Sequence, residues 1–125
     1  MLLSEQSGER GYDAFQPSVV VNRAGTVAVT WYDTRAVERG RPGWDVRLRA
    51  STDGGKTWAP SVRVTERTTL PGKKTQARTD GVGHTAGLTA GAGNGFQCLW
   101  VDGRTGTAQA WAAAVRIDAP TRGQR

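Results

Sequence analysis

The stretch Ser51-Thr52-Asp53-Gly54-Gly55-Lys56-Thr57-Trp58 lies between two segments of alternating character, Trp44-Asp45-Val46-Arg47-Leu48-Arg49-Ala50 before it and Ser61-Val62-Arg63-Val64 after it. Period-two alternation on both sides of an Asp-Gly-Gly turn predicts a β-hairpin. Ser and Asp side chains hydrogen-bond backbone groups two or three residues on, and paired glycines accept positive φ, so the turn is expected to cap itself. Trp58 then folds its indole over the turn and anchors it to the sheet.

An internal repeat extends the pattern outward. Trp31-Tyr32-Asp33-Thr34-Arg35 returns as Trp100-Val101-Asp102-Gly103-Arg104, so the chain carries two copies of a Trp-x-Asp-x-Arg motif. Each copy follows a hairpin. In the first, Ser18–Val21 turns at Asn22-Arg23-Ala24-Gly25 into Thr26–Thr30; in the second, Gly87–Ala90 turns at Gly91–Gly95 into Phe96–Leu99.

Composition agrees with many short strands. The 125-residue chain fits one small domain, with 37% hydrophobic residues, 17 glycines, five prolines and five tryptophans. Ala108–Arg116 is alanine-rich and ends in Val115-Arg116-Ile117, so helix and strand compete there. The net charge of +6 is spread through turns and alternate strand positions rather than along one stripe with interleaved aromatics, which argues against a nucleic-acid partner. A lone Cys98 excludes an intrachain disulfide and a cysteine-based zinc site, and it is expected to pack as a small core residue. No metal or other cofactor is expected. Met1-Leu2-Leu3 runs straight into Ser4-Glu5-Gln6, so this chain shows neither a signal peptide nor a membrane span.

The octapeptide carries all four positions of Ser-x-Asp-x-Gly-x-x-Trp and resembles the Asp-box, or BNR repeat, of the sialidase-like β-propellers. The resemblance implies an all-β partial propeller of four-stranded antiparallel blades, about two blades of a six-bladed parent. Residues 1–15 are a lead-in, 16–65 a complete blade with the Asp-box, 66–83 the connection, 84–117 a second, incomplete blade and 118–125 a tail. Two blades cannot close a ring of roughly four to eight. The chain is therefore expected to meet the remaining blades or to self-associate. A self-sufficient two-sheet sandwich is the alternative.

Strand direction alternates, so the Asp-box turn and the Trp-x-Asp-x-Arg loop fall at opposite ends of the blade. In the family the substrate lies over the end that carries the segments entering each first strand. By that resemblance Ser51, Asp53, Gly55 and Trp58 are structural, and the candidate ligand-face residues are Tyr12, Asp13, Asp33, Arg35, His84, Asp102 and Arg104, with Asp80 nearby. An arginine fork suits a sugar carboxylate and an Asp can act as general acid, whereas sialidases use a tyrosine nucleophile. Repetition pulls the other way, because an Asp-Arg pair present in each blade serves to brace it. The family's Phe/Tyr-Arg-Ile-Pro motif has no arginine counterpart in Phe15-Gln16-Pro17, so no catalytic residue is assigned. The Gly-rich Gly91–Gly95 lacks the spacing and helix of a dinucleotide site and reads as a turn.

The leading functional expectation is a fragment of an exo-α-sialidase-type glycoside hydrolase, inactive alone and acting on carbohydrate through its parent. A non-catalytic Asp-box module that binds glycan or protein is the alternative. The resemblance implies an extracellular or periplasmic setting.

Overall fold

The computed structural model describes residues 1–5, 11–38, 40–70 and 86–118. These form an all-β structure of two antiparallel sheets. The first, in chain order, consists of β1 (Ala14–Val21), β2 (Val27–Asp33), β3 (Asp45–Ser51) and β4 (Val62–Arg63). The second consists of β5 (Gly87–Ala90), β6 (Gly95–Asp102) and β7 (Gln109–Arg116). No helix occurs among the described residues, so none there is long and apolar enough to cross a membrane.

The repeat seen in the sequence is also a repeat of register. In the first hairpin Ser18 pairs with Thr30, Val19 with Val29, Val20 with Ala28 and Val21 with Val27. The displacement that carries Trp31 onto Trp100 turns these into the pairs of the second hairpin, Gly87 with Leu99, Leu88 with Cys98, Thr89 with Gln97 and Ala90 with Phe96. The turns close alike, Asn22 N–H donating to Thr26 O at 3.0 Å and Gly91 N–H to Gly95 O at 2.9 Å. A one-residue slip would exchange the faces of every strand, so the shared register puts equivalent residues on equivalent faces.

One face of each sheet is apolar and the two pack together. Ala28, Tyr32, Val46, Leu48 and Ala50 from the first sheet join Phe96, Cys98 and Trp100 from the second in one buried cluster. Burying a Leu48 or a Phe96 completely contributes roughly 1.5–3 kcal/mol each. The sheets approach along β1 and β5, the first strand of each. A bond from Asn22 Nδ2 to Asn94 Oδ1 at 2.7 Å ties their turns together.

Two elements differ from expectation, each for a local reason. β1 starts at Ala14 rather than Ser18, because a break in register between Phe15 and Ser18 accommodates Gln16 at φ 56° and lets Pro17, which has no N–H, lie within a strand. The fourth strand is two residues long instead of four. The Ser61 amide donates to Glu5 Oε1 at 2.8 Å and so is lost to the ladder, while Val64 N–H still reaches Val46 O at 2.8 Å. In the alanine-rich segment, where helix and strand compete, pairing with β6 along its whole length decides for strand β7 over the helix preference of alanine.

Candidate functional site

Asp33 ends β2 and its carboxylate is fully buried. A buried charge must be paired and hydrogen-bonded, and the motif supplies both within its own span. Trp31 Nε1 donates to Oδ2 at 2.8 Å, the Arg35 amide to Oδ1 at 2.8 Å, and the Arg35 guanidinium forks onto both oxygens from Nε at 3.0 Å and Nη2 at 2.9 Å. The remaining reach of Arg35 is also taken. Nη1 meets Glu5 Oε2 at 3.3 Å, Nη2 meets Ser4 O at 2.7 Å, and the guanidinium lies 4.7 Å above the Tyr12 ring. Burial works against the charge of Arg35, yet its bonds to Asp33 and Glu5 outweigh that and hold its pKa above the ordinary value.

The second motif repeats the Asp–Arg pairing with fewer bonds to the carboxylate. Asp102 is fully buried and accepts from the Arg104 amide at 2.9 Å and from Arg104 Nε. The guanidinium stacks 4.2 Å from the Trp111 ring. Trp100 Nε1, the counterpart of the Trp31 donor, finds no acceptor among the described residues. Both pairs sit at the same end of their sheets.

Tyr12 and Asp13 join the first pair. Tyr12 donates its hydroxyl to Ser4 O at 2.6 Å, and burial, with the nearby Asp33 and Glu5 charges, pushes its pKa up. Asp13 is exposed and exchanges bonds with Thr34, its amide donating to Thr34 Oγ1 at 2.9 Å and its carbonyl accepting from the Thr34 amide at 3.1 Å. Asp80 and His84 lie outside the described residues.

Sequence reasoning missed two acidic residues that belong to this region. Asp45 opposes Asp33 across β2 and β3, is buried, and is held by Thr65 Oγ1 at 2.9 Å and Arg63 Nη2 at 2.9 Å. Its place at the start of an alternating strand was visible, but its partner Thr65 is 20 residues away. Glu5 receives Ser61 N–H and Oγ–H, Arg35, and Arg49 at 3.7 Å. Burial raises its pKa, but the Ser61 and Arg35 bonds and the Arg49 charge outweigh this, so the carboxyl sits below its usual range. Nothing in a polar lead-in announced that role.

The Asp-box occupies the opposite end. Ser51 pairs with Val27 at the start of β2, whereas Asp33 closes that strand, which separates the two ends by about 20 Å of strand. Ser51 Oγ donates to Asp53 Oδ1 at 2.8 Å and accepts from the Gly55 amide at 2.9 Å, and Thr57 N–H returns to Asp53 Oδ1 at 2.8 Å. Gly54 at φ 72° and Gly55 at φ 90° make the left-handed corner. Trp58 Nε1 closes it on Gly55 O at 3.1 Å. The bonds from Thr57 and Ser51 pull the Asp53 pKa down to about 2.

At that same end a groove of about 490 Å³ runs over the outer face of the first sheet, lined by Leu3, Val19, Val27, Val29 and Trp58 among others. It is almost wholly apolar and is separate from the two Asp-Arg pairs. The chain was compared with protein-family models, curated proteins and solved structures. None matches.

Chemically, the Asp-Arg end offers little free reactivity of its own. The Arg35 fork already holds Asp33, Arg104 holds Asp102 through Nε, and each carboxylate already accepts from its own arginine. Asp13 is exposed at this end, beside the half-buried Tyr12.

Proposed function

We propose that the chain supplies two consecutive blades of a sialidase-like Asp-box propeller, whose parent is an exo-α-sialidase-type glycoside hydrolase, and that this chain alone does not turn over a glycoside. The observation that carries the reading is the conjunction of a self-bonded Ser51-Asp53-Gly55-Trp58 turn with a hairpin register that recurs from one sheet to the next. A solitary hairpin turn accounts for the first; it does not account for the second. Convergence of the sheets along their first strands, as around an axis, supports it further.

In this reading Asp33, Arg35, Asp102 and Arg104 brace the loop mouths and the sugar contacts come from Tyr12, Asp13 and blades beyond these two. Carbohydrate lies over that end, and the Asp-box stays structural. A second reading, a non-catalytic module that binds glycan or protein, is favoured by one specific observation: both arginines are bonded to their own carboxylates, Arg35 by a fork and Arg104 through Nε. Fold alone does not choose between them.

Incubating the purified chain with a fluorogenic α-sialoside tests the claim of inactivity, since release of the fluorophore above the buffer rate would overturn it. Screening the same chain on immobilised glycans separates the readings. Retention of sialylated glycans without turnover fits a binding module, and retention of none leaves the glycan contacts to other blades.

A further inference from the structure

Each sheet turns one face inward and one outward, and the repeat relates these four faces in pairs. On the outer face of the first sheet stand Val19, Val21, Val27, Val29 and Trp31. The repeat carries them onto Leu88, Ala90, Phe96, Cys98 and Trp100, the face of the second sheet that packs into the shared core. The converse holds as well. Leu99 and Val101 on the outer face of the second sheet occupy the positions of Thr30 and Tyr32, and Ala112 pairs with Leu99 as Leu48 pairs with Thr30. Thr30, Tyr32 and Leu48 are buried by the opposing sheet, whereas their counterparts look outward.

On the first sheet Val29 and Trp31 are already buried, and exposure marks the Val19–Val21 part of that outer face, together with the outer face of the second sheet, as surfaces missing a partner. Val19 is 66% exposed, Val21 57% and Leu99 45%, and Ala112 and Ala114 beside Leu99 are exposed too. Contiguous apolar patches of this kind on a small protein mark interaction sites. The shapes are also matched. Ala110, Ala112 and Ala114 form a shallow face, and the first sheet presents branched valines beside the Trp58 indole. Inside the chain, a face with Ala28 and Ala50 likewise receives Phe96 and Trp100. Residues 3–5 are anchored on Arg35, Arg49 and Ser61, and Leu3 reaches the groove beside Val19, so the part of this face left open is the Val19–Val21 edge of β1.

On the strength of the propeller reading, we propose that in the isolated chain a second copy takes the place of the parent's next blade and docks head to tail. The Val19–Val21 face of one copy covers the Leu99–Ala112–Ala114 face of the next and repeats the contact already made between the two sheets within one chain. Such a heterologous contact uses a different surface on each partner and continues until the ring closes. Rings of roughly four, six or eight sheets correspond to two, three or four copies. Because every copy carries a charge of +6, raising the salt concentration screens the repulsion and strengthens association.

Sedimentation velocity of the full chain across the micromolar range, at low and high salt, provides the test, with Val19→Arg and Ala112→Arg as blocking variants at exposed strand positions. The wild type is expected to form a closed species of two to four copies that grows with concentration and with salt. Either variant alone loses association by at least about tenfold, since a charge must be buried in a desolvated contact. An equimolar mixture of the two variants recovers a dimer and stops there, because one intact face remains on each. Circular dichroism shows that each variant keeps its strands, and Val21→Lys replaces Val19→Arg if that one unfolds. A wild type that stays monomeric, a variant that associates as well as the wild type, or a mixture that stays monomeric each overturns the docking. Those results leave the propeller reading to be judged on glycan binding.

Discussion

Replacing Asp33 by Ala removes the acceptor for four hydrogen bonds, from the Trp31 indole, the Arg35 amide, and the Arg35 Nε and Nη2. The indole and amide are left in a buried site without a partner, at about 1–3 kcal/mol each. Arg35 keeps Glu5 and Ser4 O, so its guanidinium is not stranded outright. Breaking a buried ion pair by deleting one member costs roughly 3–5 kcal/mol, and the lower half of that range fits an arginine with a second carboxylate. A loss of about 3–4 kcal/mol is therefore expected. For a domain of this size it lowers Tm by roughly 12–16 °C. Urea unfolding followed by tryptophan fluorescence measures it directly, and Asp33→Asn should recover part of the loss by keeping one acceptor oxygen. A cost below about 1 kcal/mol would refute the reasoning, because it would mean that the pair is solvated and unstrained, free to exchange its partner for a ligand.

Three further outcomes are expected. Asp53 titrates at about 2 in the folded chain against 3.8 when unperturbed, so its contribution to stability is present above about pH 4 and lost as pH falls to about 2; Asp53→Asn should flatten that part of the urea midpoint against pH. Burial pushes the Cys98 thiol up to about 11, so a disulfide reagent should modify it slowly in the native chain and at the free-thiol rate in denaturant. Gly43→Ala should cost about 2 kcal/mol, since φ is 134° there and a Cβ would meet Thr69 O at 2.8 Å, next to the Trp44–Thr69 bridge; thermal melting checks it.

Local chemistry made the strands and turns legible. Alternation through Trp44–Ala50, the Asp-Gly-Gly corner and the two Trp-x-Asp-x-Arg ends each carry their partners close by in the chain, so antiparallel sheets followed from sequence order alone. The closed bonding of Asp33 with Arg35 was legible for the same reason, as both lie in one short motif. Partners far apart in the chain were not. Glu5 meets Ser61 across 56 positions, Asp45 meets Thr65 across 20, and Asn22 meets Asn94 across 72. No single-strand pattern encodes such pairings, which depend on how the sheets and the lead-in come together. The apolar groove escaped notice because Leu3, Val19, Val29 and Trp58 lie on separate elements. β7 shows the limit of propensity, since its alanines would suit a helix in isolation and became strand through pairing with β6.

In the proposed reading the two ends of the sheets have different roles, ligand at one and architecture at the other. Titrating the isotopically labelled chain with sialyllactose, while recording amide and indole proton–nitrogen spectra, tests that division most directly. Shifts confined to Tyr12, Asp13, Thr34, Arg35 and Arg104, with Gly54, Gly55 and the Trp58 indole unmoved, are the predicted result. Shifts centred on Gly54 to Trp58, with the Asp-Arg end silent, would contradict it.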